Sequence, residues 1–213
     1  MSRWPAALLL LLVGSGPGGS RDPSDLMRAG LSDLRVTEGK MLPGPDGLLR
    51  IEDPKVRAVV RRPTGPVAEL RFAYLGPSAE QKPLSSGEMR SQIGLKLRAE
   101  DGCNLLYAMW RIAPKPGLVV SLKRNPGMHS SGDCGNGGYT NLKARGGLRV
   151  PAFQPGERHA IRAEERGGEL RVLVDGAPAW EGTLPPEALS LRGPAGLRSD
   201  NGRFDLELFV SEP

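Results

Sequence analysis

Four stretches of this chain alternate with a period of two. Leu70, Phe72 and Tyr74 interleave with Glu69, Arg71 and Ala73, and Ile93, Leu95 and Leu97 with Gln92, Lys96 and Arg98. Leu170, Val172 and Val174 interleave with Glu169, Arg171 and Leu173, and Phe204, Leu206, Leu208 and Val210 with Arg203, Asp205, Glu207 and Phe209. Such spacing sends one set of side chains to each face of a strand, whereas a helix repeats every 3.6 residues. The pattern excludes a helical protein. Further strands are expected at 55–61, 103–112, 117–124, 158–164 and 194–199.

The chain has 29 Gly and 20 Pro among 213 residues, which suits many short strands joined by turns. Asp175-Gly176 is a hairpin turn before a short strand at Trp180, and the Pro-rich segment 113–117 joins the two most apolar strands. No repeat of propeller or solenoid period is present. The fold class is all-β, a two-sheet antiparallel sandwich, and the length suits one such domain.

The first residues read as a secretory signal peptide: Arg3, the apolar run AALLLLLV at 6–13, then the small residues GSGPGGS. That run is far shorter than the roughly 20 residues that span a bilayer. The expected organisation is a signal peptide over 1–20, a polar lead-in over 21–46 with a weak helical patch near 25–34, and the sandwich over 47–213. The expected location is secreted or periplasmic, with no membrane span once the signal is removed.

In an oxidising compartment the only two cysteines, Cys103 and Cys134, are expected to pair. One hairpin register sets Ala113 opposite Leu118, Met109 opposite Leu122 and Tyr107 opposite Arg124. It brings Cys103 to the end of the hairpin where the loop carrying Cys134 begins. A disulfide closing that loop contributes ~3–4 kcal/mol in the loop-entropy account.

The C-terminal part has a recurrent grammar. ERHAIRAEERGGELRVLVDGAPAWEGTL is followed by RGPAGLRSDNGRFDLELFVSEP. This order resembles the concanavalin A-like lectin/glucanase jelly roll, and within it the laminin-G-like and 3-keto-disaccharide hydrolase-like domains. The resemblance is loose over 48–211 and good over 157–211. It implies a jelly-roll sandwich and leaves function open among glycoside hydrolases, carbohydrate-binding modules and adhesion domains. The Glu-x-Asp-x-x-Glu run of the fold's retaining glucanases is absent. Asp205 and Glu207 share a face with Arg203 and read as a solvated charge ladder.

The expected ligand-binding residues fall in two groups. Trp110 is an aromatic surface for a sugar ring, with Asn104, Ser121 and Lys123 as polar neighbours on the same face. The alternative is a core tryptophan. The second group is His129, Asp133, Asn136 and Tyr139, in a Gly-rich loop that reads otherwise as polar surface. Asp133 and Asn136 offer two of the six or more oxygens that calcium takes, and no acidic loop supplies the rest, so no cofactor is expected. His159 lies on the apolar parity of its strand and reads as structural. No catalytic residue is assigned.

The net charge of +5 is spread along the chain without a basic block, which argues against nucleic acid. The expectation is an exported domain binding carbohydrate or another cell-envelope polymer, with no catalysis evident. The alternatives are a glycosidase-like hydrolase of the 3-keto-disaccharide hydrolase type and a structural domain with a protein partner.

Overall fold

A computed structural model describes residues 26–213. The expected signal peptide and residues 21–25 lie outside the described residues. Fifteen strands form two antiparallel sheets. The eight-stranded sheet runs β13 (Ala177–Thr183), β12 (Glu169–Val174), β11 (Arg158–Arg166), β6 (Val67–Pro77), β15 (Gly202–Val210), β4 (Leu49–Ile51) and β3 (Leu42–Pro43), with β1 (Met27–Ala29) also on β15. The seven-stranded sheet runs β10 (Tyr139–Asn141), β9 (Gly117–Lys123), β8 (Leu105–Ala113), β7 (Ser91–Leu97), β14 (Gly196–Asp200), β5 (Lys55–Val60) and β2 (Leu34–Glu38). Two single-turn helices, α1 (Ser131–Cys134) and α2 (Pro186–Leu189), sit in connections.

The core lies between the sheets and is built from the alternating positions. Leu70 and Phe72 of β6, Val172 of β12, and Phe204, Leu206 and Leu208 of β15 meet Ile93 and Leu95 of β7 and Leu197 of β14, all buried. Burying an apolar side chain of this size contributes about 1.5–3 kcal/mol, which fixes the facing parity of each strand. His159 packs on the apolar parity of β11. Its ring lies 5.0 Å from both Trp110 and Phe153, and its Nδ1 is 2.8 Å from Asp175 Oδ2.

Three expectations need correction. The segment 21–46 is not a lead-in over its described part. β1 pairs with β15 and β2 with β5, and no α-helix forms at 26–34. These strands are too short for alternation to reveal them. Asp205 is not solvated: it is buried and accepts two hydrogen bonds from Arg50, at 2.7 and 2.8 Å.

The third correction is the β8–β9 register. Met109 faces Val119, Tyr107 faces Ser121 and Leu105 faces Lys123. The pairing differs from the expected one by three residues. An odd slip exchanges the faces, so Leu106, Ala108 and Trp110 enter the core with Val120 and Leu122, while Leu105, Tyr107 and Met109 face outward. Trp110 is fully buried, with its ring 4.8 Å from Phe153 and 5.9 Å from Phe72. It is a core tryptophan and not a ligand surface. The disulfide survives the slip: Cys103 and Cys134 are bonded, with Cα atoms 5.9 Å apart.

Candidate functional site

The outer face of the seven-stranded sheet carries a cleft of about 740 Å³. Its floor is the polar parity of the central strands. Lys96 pairs with Tyr107 on one side and Gly196 on the other, and Arg198 pairs with Gly94 and Arg57. Lys96 and Arg198 thus alternate with two glycines on adjacent strands. A Cβ on Gly94 would lie 2.1 Å from the Ala108 carbonyl oxygen, and one on Gly196 equally close to that of Ala58. Only glycine fits, and the floor stays open between the two cations.

Six cationic side chains line the cleft, from Arg35, Lys55, Arg57, Lys96, Lys123 and Arg198, against the carboxylates of Glu38, Glu100 and Asp101. Beneath them Asp200 is fully buried. It accepts from Arg57 Nη2 at 2.6 Å, Arg198 Nε at 2.8 Å and Gln92 Nε2 at 2.7 Å. Burial alone would raise its carboxyl pKa, but Arg198 and Arg57 outweigh it and hold the group at about 2. Arg198 also stands 5.0 Å over the Tyr107 ring and donates to Tyr139 Oη at 3.2 Å.

Lys96 is only 3% exposed, and no hydrogen-bond or ion-pair partner holds its ammonium among the described residues. Burial lowers its pKa, and Arg57, Arg198 and Arg35 push the same way, to about 7.

The walls come from loops. Asp101 accepts hydrogen bonds from the Cys103 and Asn104 N–H groups at 2.7 and 2.8 Å, and its Oδ2 is 2.8 Å from His129 Nδ1. Burial pushes the Asp101 carboxyl up, yet these hydrogen bonds hold it below its ordinary value. The disulfide anchors α1 beside this loop, and Lys123 Nζ ties the two together by donating to Gly102 O at 3.3 Å and Gly135 O at 3.0 Å. Gly138 makes the turn into β10 at φ +73°, where a Cβ would meet the Arg124 carbonyl at 2.3 Å. That turn sets Tyr139 over the cleft, stacked on Tyr107 at 6.1 Å and 38% exposed.

A second depression of about 240 Å³ adjoins the first and shares Tyr107, Tyr139 and Arg198 with it. Among the expected site residues, His129, Lys123 and Tyr139 line the large cleft, and Ser121, Asn136 and Tyr139 the small one. Asn104 and Asp133 line neither. The Asn104 amide bridges Asp101, Met128 and Arg124 inside the loop. Ser130 caps α1, and Asp133 at the third helical position accepts from its Oγ–H at 2.6 Å. Among the described residues no group of three or more His, Cys, Asp or Glu converges as a metal-binding set. Sequence reasoning missed Arg57, Lys96, Tyr107, Arg198 and Asp200. For Arg57, Lys96, Arg198 and Asp200 the signal was polar and glycine residues on the outward parity of strands whose other parity is largely apolar; Tyr107, on a strand apolar on both faces, gave none.

No family model matches the chain, and no curated protein matches it in sequence. Solved structures match in fold. The carbohydrate binding module CBM66 from Bacillus subtilis aligns with TM-score 0.55 at 10% identity, covering 82% of this chain and 91% of that one. The carbohydrate recognition domain of Emp46p gives 0.51 at 12%, covering 85% and 88%, and the apo Crh5 transglycosylase 0.52 at 14%, covering 88% and 84%. The fold these comparisons share with the chain is a two-sheet jelly-roll sandwich. In this jelly roll the cleft occupies the outer face of the seven-stranded sheet, away from the core packing that defines the sandwich.

Proposed function

We propose that this protein is an exported jelly-roll domain that binds carbohydrate in the cleft over the seven-stranded sheet. The observation that carries the reading is the pairing of an exposed aromatic face, Tyr139, with convergent donors in a cleft that continues into a second depression. Apolar sugar faces stack on such rings, and hydroxyls take hydrogen bonds from fixed cations. Two depressions meeting at Tyr139 and Arg198 suit consecutive residues of an oligosaccharide. Structural neighbours described as a carbohydrate binding module and a carbohydrate recognition domain support the reading.

Hydrolysis is less well supported. A glycosidase needs a carboxyl of raised pKa as general acid. Of the carboxylates that line the cleft, Asp101 is shifted downward by its hydrogen bonds, Glu38 lies 3.6 Å from Arg57 and Glu100 accepts from the Arg192 N–H at 3.0 Å, while Asp200 beneath the floor is held low by Arg198 and Arg57. Export is supported by the sequence of residues 1–20 and by the disulfide, which persists in oxidising compartments. The test is an oligosaccharide microarray probed with the mature protein, with hits quantified by calorimetry on wild type and Tyr139→Ala. Saturable binding weakened by the substitution is expected. No glycan bound at millimolar concentration sinks the proposal.

A further inference from the structure

Resting on that reading, we propose that the glycan carries an anionic group, a uronate carboxylate or a sulfate ester, and that the group is seated on Lys96 between Arg57 and Arg198. Lys96 is the carrying observation. An ammonium taken out of water costs free energy unless something pairs with it. Here the residue is only 3% exposed, faces the cleft, and has three guanidinium neighbours, while the one carboxylate acting on it, Glu38, lies against Arg57 at 3.6 Å and makes no ion pair with the ammonium. The carboxylate beneath it, Asp200, is spent on Arg57, Arg198 and Gln92.

The backbone geometry points the same way. Gly94 and Gly196, the lateral neighbours of Arg198 and Lys96, remove the side chains that would otherwise fill the space between the cations. What remains is a pocket in the sheet with positive walls. A polynucleotide fits this arrangement less well than a sugar acid. Its phosphates repeat along a strand and call for an exposed basic track with several stacking faces, whereas these cations converge at one buried point beside one exposed tyrosine.

Titration supplies a signature. The groups facing Lys96 are Arg57 of β5, Arg198 of β14, Arg35 and Glu38 of β2 and Tyr107 of β8. With the free ammonium titrating at about 7, an anionic ligand that requires the charged form binds at full strength below that pH. Above it, binding takes up a proton and weakens.

The experiment is calorimetry with three matched ligand sets on folded wild type and Lys96→Met. The sets are oligogalacturonate and oligomannuronate with their neutral methyl esters, sulfated and desulfated galactan oligosaccharides, and a single-stranded oligonucleotide. Acidic members should bind at least tenfold tighter than their neutral partners. Lys96→Met should erase that difference, and wild-type affinity for the acid should fall several-fold between about pH 6.5 and 8.5 while the variant's does not. The uronate and sulfate arms separate the two anion sources. Equal affinity for acidic and neutral members overturns the anionic seat and leaves carbohydrate binding standing. Binding of no oligosaccharide overturns both, and tighter binding of the oligonucleotide replaces the sugar acid with nucleic acid.

Discussion

Arg198 and Asp200 stand two residues apart on β14 and therefore on one face, joined by an Nε–H···Oδ2 hydrogen bond of 2.8 Å. The pair is buried, and Arg57 reaches the other carboxylate oxygen from the neighbouring strand at 2.6 Å. Removing one member of such a set leaves uncompensated buried charge. Asp200→Asn should therefore destabilise the protein by about 3–5 kcal/mol, read by urea denaturation. Acid should act through the same group. Its folded pKa of about 2 lies below the ordinary 3.8, so the stability it contributes is complete above pH 4 and is lost as pH falls toward 2.

Lys96 should behave in the opposite sense. Its folded pKa is depressed from 10.5 to about 7, so the unfolded chain binds more protons between those values and stability rises with pH across that window. Lys96→Met removes the buried ammonium while keeping most of the volume. It should stabilise the protein by about 1–3 kcal/mol at pH 6 and less at pH 9, since replacing a buried charge by an apolar side chain is often favourable by such amounts. Melting curves at the two pH values check this. Destabilisation at both would mean that the ammonium has a partner.

Trp110 and Tyr139 divide structure from binding. Trp110→Ala leaves a cavity between Phe72, Phe153 and His159 and should cost ~3–5 kcal/mol of stability. Tyr139→Ala removes an exposed ring at the cleft. It should change stability by less than about 1 kcal/mol while weakening ligand binding by ~0.5–1.5 kcal/mol beyond the area lost. Thermal melting and calorimetry on both variants separate the roles.

Much of this division was legible in the sequence, and its failure is local. Strands such as 169–174 and 204–210 announce their core face because their other face is largely charged. β8 and β9 do not: Leu105, Tyr107 and Met109 on one parity are as apolar as Leu106, Ala108 and Trp110 on the other. With patterning silent, the register rested on the turn. The structure pairs Arg111 with Gly117 and leaves 114–116 between the strands, so the two faces of β8 exchanged while those of β9 stayed. Ser121 and Lys123 do reach the open face, with Tyr107 as their neighbour in place of Trp110. The charge network was hidden for another reason. Arg57, Lys96 and Arg198 are distant in sequence, and only the strand order β7-β14-β5 makes them adjacent.

The disulfide should matter for both fold and cleft. It closes a segment of 31 residues, and its removal in Cys103→Ser/Cys134→Ser should cost ~3–4 kcal/mol by loop entropy. The same variant should loosen α1 and the His129 loop. Amide exchange should then quicken over 128–138 while the core strands β6 and β15 stay protected. Uniformly faster exchange would show that the bond supports the whole sandwich instead.

The two floor glycines bear on how such a protein can change over generations. Neighbouring carbonyl oxygens stand where any Cβ at Gly94 or Gly196 would lie, so neither position tolerates another residue without moving a strand. The width of the seat is therefore set by main-chain atoms. Rim residues such as His129 and Asn136 in loops and Tyr139 at the start of β10 can drift and alter which ligand is preferred, but the recess they surround is inherited unaltered. A lineage built on this scaffold would diversify at the rim and keep one template at the centre.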